Sequence, residues 1–247
     1  MEEERITVAR RVHLETVDST NSHVRRMLDA GETLPELTLV DADEQTSGRG
    51  QRGNSWESEK GRNVQFSLVC HPHFLLASQQ FALSEAIALA VAETVGGEVK
   101  WPNDIYVGDR KISGTLIECD LSGKQIETCI IGTGINVNQT LFRSDAPNPV
   151  SLSQLTGREY DREEVLRAVV DRFAGLYDLL RKGGAATLHR MYLQHLYRRQ
   201  GQHRYADRDG EFLAEVHAVE PSGHLLLRRP DGHVSRYEFK EVKFLNT

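Results

Sequence analysis

Between residues 105 and 131 three apolar runs are separated only by two short turns. Ile105 to Val107 and Ile112 to Cys119 flank Gly108-Asp109, and Ile126 to Ile131 follows Ser122-Gly123-Lys124. Connections this short join strands only as antiparallel neighbours, because a parallel pair needs a long crossover. An antiparallel meander therefore occupies the middle of the chain, and helices must cover it. Ser78 to Val95 is Ala-rich, carries Phe81, Ala88, Val91 and Val95, and stops at Gly96-Gly97, as a buried helix does. Asp161 and Glu164 predict a capping-box start for a helix whose Val165, Leu166, Val169, Phe173, Leu176 and Leu180 recur at helical spacing up to Gly183-Gly184. A shorter helix runs through Leu188, Met191 and Leu196.

Nearer the amino terminus, Asp18-Ser19-Thr20-Asn21 supplies capping residues for a helix with Val24, Met27 and Leu28 on one face, ended by Gly31. Leu37 to Val40 reads as a strand, Asp43 to Gly61 as a long polar loop, and Val64, Phe66 and Leu68 alternate with polar residues as a half-buried strand does. Beyond Tyr197-Arg198-Arg199-Gln200-Gly201, short alternating runs are split by Asp209-Gly210, Ser222-Gly223 and Asp231-Gly232. Roughly 50 residues of hairpins predict a small barrel, near the lower limit for an independent core and so packed on the larger unit. The expectation is an α+β fold in two domains, residues 1–197 and 198–247.

Thirty Lys and Arg against 36 Asp and Glu leave a net charge of −6, so nothing in the overall balance favours wrapping nucleic acid, and any anion site must be local. The acidic start Met1-Glu2-Glu3-Glu4-Arg5 and the absence of a long apolar run predict a cytoplasmic protein without membrane contact. Cys70, Cys119 and Cys129 form no C-x-x-C pair and read as reduced, mostly buried thiols. Cys70-His71-Pro72-His73 lacks a second ligand pair at suitable spacing, so no zinc site is expected.

Gly48-Arg49-Gly50-Gln51-Arg52-Gly53 matches G-x-G-x-x-G, but no helical stripe follows between Asn54 and Asn63, so the pattern is not a dinucleotide motif. It also lacks the terminal Gly-Lys-Ser/Thr of a Walker loop. What remains is a loop in which missing side chains expose backbone N–H groups and guanidinium forks supply charge, a natural seat for phosphate. Lys100-Trp101-Pro102-Asn103-Asp104 ends a strand and offers hard oxygens suited to magnesium or a ribose hydroxyl. The following hairpin can return Lys111, with Gly114 after it, to the side of Asp104. In Gly132-Thr133-Gly134-Ile135-Asn136-Val137-Asn138 the glycines imply close backbone approach or a sharp turn, and Asn136 either reads a nucleotide or closes its own turn.

Taken in this order, the S-T-N segment, the G-R-G-x-x-G-N loop followed by Trp56, the K-W-P-N-D box, K-x-x-G at Lys111 and G-x-G-I-N at Gly132 resemble the biotin protein ligases. The resemblance runs from about Val17 through the carboxy-terminal segment. It implies a catalytic domain like those of class II aminoacyl-tRNA synthetases, built on a mixed sheet, followed by a small SH3-like β-barrel. The implied activity joins biotin to ATP as biotinyl-5'-AMP and passes biotin to a lysine of a biotin carboxyl carrier protein.

On this resemblance Lys111, Arg49 and Arg52 are catalytic. Ser19, Thr20, Asn21, Gln45, Gly48, Arg49, Lys111 and Gly114 hold biotin, with Ser19, Thr20 and Gln45 meeting its ureido ring. Gly50, Gln51, Arg52, Gly53, Asn54, Trp56, Lys100, Asn103, Asp104, Gly134 and Asn136 hold ATP or the adenylate, and Asp104 with Asn103 holds Mg2+. Gln51 stands where relatives often have arginine and Asn54 where some members do, which implies that Arg49 and Arg52 carry more of the grip on the adenylate. A lipoate protein ligase is the alternative enzyme, disfavoured because a dithiolane would leave Ser19 and Gln45 without partners. A DNA-binding regulator is disfavoured because only seventeen residues precede Asp18. The sequence leaves monomer and homodimer both open.

Overall fold

The computed structural model describes residues 6–144 and 147–245, with the side chain of Arg52 outside the description. Its larger sheet has seven strands: β1 (Arg10–Val17), β2 (Thr38–Gln45), β3 (Val64–Cys70), β4 (Glu98–Lys100), β5 (Asp104–Val107), β6 (Arg110–Ser122) and β7 (Gln125–Ile135). Their spatial order is β1-β2-β3-β7-β6-β5-β4. β1 and β2 run parallel, joined through helix α1 (Thr20–Asp29), and the other neighbours are antiparallel, so the sheet is mixed. β5, β6 and β7 are the meander expected from the two turns.

Strand β1 had no counterpart in the sequence reading because it is an edge strand whose residues are half-exposed or exposed, with Arg11 and His13 bonded to Asp41 of β2 at 2.8 and 2.7 Å. The same cross-strand pairing carries β2 past Val40 to Gln45, so the polar loop begins at Thr46 rather than Asp43.

Each face of the sheet has its own cover. Helix α1 packs Val24 and Met27 on Val40, Val69 and Ile130. On the other face lie α2 (Phe81–Val95), α4 (Arg162–Arg181) and α5 (Ala185–Gln194), packed on Leu39, Phe66, Leu68 and Ile131. α2 is buried almost all round, which its alanines permit by allowing close approach, and Gly96 ends it at φ 67° in the left-handed region. With both faces covered, β3 is fully buried, and its polar Gln65 and Ser67 lie inside rather than in water. At the start of α4, Asp161 accepts from the Glu163 N–H at 2.8 Å, so the cap is a single bond and not a box with Glu164.

A short helix α3 (Leu152–Thr156) separates β7 from α4. The chain from His195 to Tyr197 is stitched to β4: Val99 N–H donates to His195 O at 2.7 Å and Tyr197 N–H to Val99 O at 2.9 Å. Beyond it β8 (His203–Asp207), β9 (Gly210–Val219), β10 (Leu225–Arg228), β11 (Val234–Tyr237) and β12 (Lys243–Phe244) form an antiparallel sheet in the order β11-β10-β9-β8-β12. This is the small all-β piece expected at the carboxy terminus, with β11 and β12 as its edges. It seats on the larger unit through Trp101, whose Nε1 donates to Gly223 O at 2.9 Å and whose ring meets Phe239 edge-on. No helix among the described residues is long and apolar enough to cross a membrane.

Candidate active site

Because successive strand residues point to opposite faces, one face of the sheet collects every second residue. On the α1 face β3 presents Gln65 and Ser67. Opposite them β7 presents Gly134 and Gly132, and β6 continues the rows with Gly114, Leu116 and Glu118. Three glycines thus make a floor without side chains. A Cβ on Gly132 would fall on the Asn21 carboxamide, and one on Gly134 would fall on the Trp56 indole. On Gly114 a Cβ would lie 3.2 Å from both Lys111 Nζ and Trp56 Cζ3. Of the two readings of the Gly132 segment, close approach therefore holds at these glycines, and β7 continues through both.

Above this floor is a cleft of about 650 Å³, a size suited to a small-molecule ligand. One end is a buried polar network. Gln45 Oε1 accepts from Thr20 N at 2.8 Å and Thr20 Oγ1 at 3.2 Å, and Gln45 Nε2 donates to Gln65 Oε1 at 2.8 Å. Ser67 Oγ lies 2.8 Å from Thr20 Oγ1 and 2.6 Å from Asn21 Oδ1, while Asn21 Nδ2 donates to Glu118 at 2.8 Å. Ser19 caps α1 in extended backbone without a side-chain capping bond, and Gln65 Nε2 is buried with no partner.

The other end is ionic. Lys111 Nζ lies 2.8 Å from Asp104 Oδ2 and 6.0 Å from the Trp56 ring centre. Arg49 is held 2.8 Å from Glu118. Both pairs are partly exposed, with side-chain exposures of 28–31% in the first and 30–46% in the second, the regime in which an ion pair contributes at most about 1 kcal/mol. An incoming anion can therefore take over either cation.

Two segments roof the cleft. In the glycine-arginine loop Gly50 N–H donates to Asn54 O at 2.6 Å and Trp56 N–H to Gly48 O at 2.9 Å, a narrow hairpin that lays Trp56 on the floor with its Nε1 buried and unpartnered. Gln51 Nε2 donates to Asn103 Oδ1 and Thr115 O, each at 3.0 Å, and so ties this hairpin to the sheet. The second segment follows β7. Glu57 accepts the N–H groups of Arg143 at 2.9 Å and Ser144 at 2.6 Å; burial opposes its charge, but these bonds hold its carboxyl below the usual range. Phe142, Asn148, Phe239 and Lys240 complete the wall, the last two from the turn between β11 and β12.

Of the residues singled out in the sequence, Ser19, Thr20, Asn21, Gln45, Arg49, Gly50, Gln51, Gly53, Asn54, Trp56, Asn103, Asp104, Lys111, Gly114, Gly134 and Asn136 line this one cleft. Gly48 sits buried behind it against the Trp56 carbonyl. The expectation for the Arg52 side chain falls outside the described residues. One expectation needs correction. Lys100 is not among the lining residues: its Nζ donates to Tyr106 OH at 2.9 Å and lies over the rings of Tyr106 and Phe244, with burial lowering its pKa. Asn103 lines the cleft and is engaged at both ends of its carboxamide, accepting from Gln51 and donating to Ser84 Oγ at 2.9 Å. Asn136 donates to Val150 O at 3.1 Å, while its buried Oδ1 has no partner.

Glu118, Gln65, Ser67 and Glu57 were missed. The signal for the first three is the period-two row they share with the glycines, which becomes visible only once strand register is known.

A mixed seven-stranded sheet whose bare glycine floor lies between a polar network and two partly exposed ion pairs makes a cleft that can hold a small acid beside a phosphate. Residues 14–136 match the sequence profile of the biotin/lipoate A/B protein ligase family. A protein of Paracoccus denitrificans named biotin–[acetyl-CoA-carboxylase] ligase is 32% identical over 234 residues, covering 89% of this chain and 94% of that protein. The bifunctional ligase/repressor BirA of Bacillus subtilis is 32% identical over 213 residues, 82% of this chain and 65% of BirA. The solved structure of the Aquifex aeolicus biotin protein ligase in complex with biotin and ATP superposes with a TM-score of 0.78 at 24% identity, covering 97% of this chain and all of that one. The chain belongs to the biotin/lipoate A/B protein ligase family, and within it to the biotin protein ligases.

Proposed function

We propose that the protein activates biotin with ATP to biotinyl-5'-AMP, releasing pyrophosphate, and transfers biotin to a lysine of a biotin carboxyl carrier protein or domain. The observation that carries this is the convergence of Lys111, Asp104 and Arg49 with the Thr20–Gln45–Gln65 network on one glycine floor. The ureido group of biotin has two N–H donors and one carbonyl, and the hydroxyls and amides at the polar end can exchange partners with it. A dithiolane would leave that network with nothing to recognise, which favours biotin over lipoate.

A free carboxylate is a poor acylating agent, and the mixed anhydride with phosphate supplies a leaving group. In the first step the biotin carboxylate attacks the α-phosphorus and pyrophosphate departs. Lys111 shifts from Asp104 to the two anions and neutralises charge that develops between them, while Arg49, released from Glu118, and the backbone N–H groups of the hairpin hold phosphate oxygens. In the second step the acceptor amine attacks the acyl carbon and AMP leaves. Trp56 and the Glu57-anchored segment cover the anhydride, excluding water until the amine arrives. The unpartnered Asn136 Oδ1 suits a donor on the nucleotide, either the adenine amino group or a ribose hydroxyl.

Magnesium fits this site through Asp104, with Asn103 beside it in the cleft, since it commonly takes one carboxylate and fills its remaining positions with phosphate oxygens and water. When bound it offsets the charge of the triphosphate. We also assign residues 1–197 to the catalytic unit and 198–247 to the appended β unit, supported by the pairing of Tyr197 with β4 and the start of β8 at His203. The test of substrate is competition in a binding assay: biotin displacing labelled biotin where lipoate at the same concentration does not. Equal displacement by lipoate would overturn the assignment.

A further inference from the structure

Cys119 and Cys129 stand directly opposite each other on the neighbouring strands β6 and β7, and Cys70 stands opposite Cys129 on β3. All three thiols belong to the face turned away from the cleft, in the core under α2 and α4. Their environments differ: Cys70 and Cys129 are fully buried, while Cys119 is only partly so. The Sγ atoms of Cys119 and Cys129 are 3.0 Å apart. Directly opposed residues of antiparallel strands have Cα atoms roughly 4.5–5.5 Å apart, inside the span a disulfide bridges.

We propose that Cys119 and Cys129 form a peroxide-reactive oxidation site, in which Cys119 is attacked first and Cys129 resolves it to a cross-strand disulfide. In the first step the Cys119 thiol and a hydroperoxide give the sulfenic acid and an alcohol, or water when the oxidant is hydrogen peroxide. In the second step the Cys129 thiol attacks the sulfenic sulfur, the S–S bond forms, and water leaves with the hydroxyl of Cys119 and the proton of Cys129. Two thiols are thereby oxidised and one peroxide bond is reduced.

The order follows from access. Cys119 is the partner that a small oxidant reaches, and Cys129 is already in contact with it. The contact between the two thiols lowers the Cys119 pKa, whereas that same contact and burial push the Cys129 thiol up. Cys70, buried and raised by desolvation, is not set up to react first. The bond would close one residue from Glu118, whose carboxylate holds both Asn21 and Arg49 on the cleft side of β6.

The experiment treats the full chain with hydrogen peroxide, then titrates thiols and maps peptides with trypsin, which cuts after Lys124 and separates the two cysteines. The expected result is loss of two of the three thiols, recovery on adding dithiothreitol, and a linked peptide pair containing Cys119 and Cys129. Cys129→Ser should leave Cys119 as a sulfenic acid trapped by dimedone, and Cys119→Ser should lose no thiol at the same dose. A Cys70–Cys129 bond, an intermolecular bond, or thiol loss only after unfolding in urea would overturn the proposal, and the wild-type map alone suffices to decide if either variant fails to fold.

Discussion

Three glycines decide what can rest on the sheet. Gly134→Ala would drive a methyl group into the Trp56 indole, so the expected outcome is a protein that folds with about 1–3 kcal/mol less stability and binds biotin at least tenfold more weakly, measured by urea unfolding and by calorimetry. Wild-type biotin affinity in that variant would show that the floor is not used. Glu118→Gln keeps an acceptor for Asn21 but frees Arg49, and should slow release of the adenylate about two- to fivefold in a dissociation assay. At this scale the sequence was informative where chemistry is written in short spacing. Lys111 lies just across a tight turn from Asp104, and Gln51 with Asn54 stands out as missing charge. It was silent on Gln65, Ser67 and Glu118, whose roles depend on residues far away in the chain.

Among elements, the meander was legible because its turns are too short for any other connection, whereas β1 was not, since its apolar row of Val12 and Leu14, packed beside α1, is only two residues long and half-buried. The polar side of β3 was read as solvated because period two reports only that the two faces differ, and α1 is what buries the second. Helix α2 carries a buried acid at its junction with α5. Glu85 is 2% exposed, and desolvation pushes its carboxyl up to about 7, with the 2.6 Å bond to His189 acting in the opposite direction. A carboxyl raised in the folded state binds its proton more tightly there than in the unfolded chain. Its contribution to stability is therefore full below the ordinary Glu range and is lost as pH rises through about 7. Comparing urea midpoints at pH 5 and pH 8, Glu85→Gln should abolish a loss of about 2–3 kcal/mol that the wild type shows. Equal pH dependence in the two proteins would contradict this.

For the molecule as a whole, the carboxy-terminal β unit both closes one end of the cleft with Phe239 and Lys240 and clamps the lysine that the K-W-P-N-D box seemed to offer to ATP. Sequence proximity to Asp104 suggested a shared ligand, but Lys100 points instead toward Tyr106 and Phe244. Lys100→Met should leave the KM for ATP within about twofold while changing the melting temperature, as a packing role between the two sheets requires. A large rise in KM with unchanged melting would return Lys100 to the nucleotide. Two cations, Lys111 and Arg49, are held by partly exposed carboxylates over the glycine floor, and in the proposed mechanism activation depends on Lys111. Biotin-dependent exchange of pyrophosphate into ATP tests this in Lys111→Ala. The account predicts a fall on the order of a hundredfold or more with the melting temperature preserved, and exchange at the wild-type rate would contradict it.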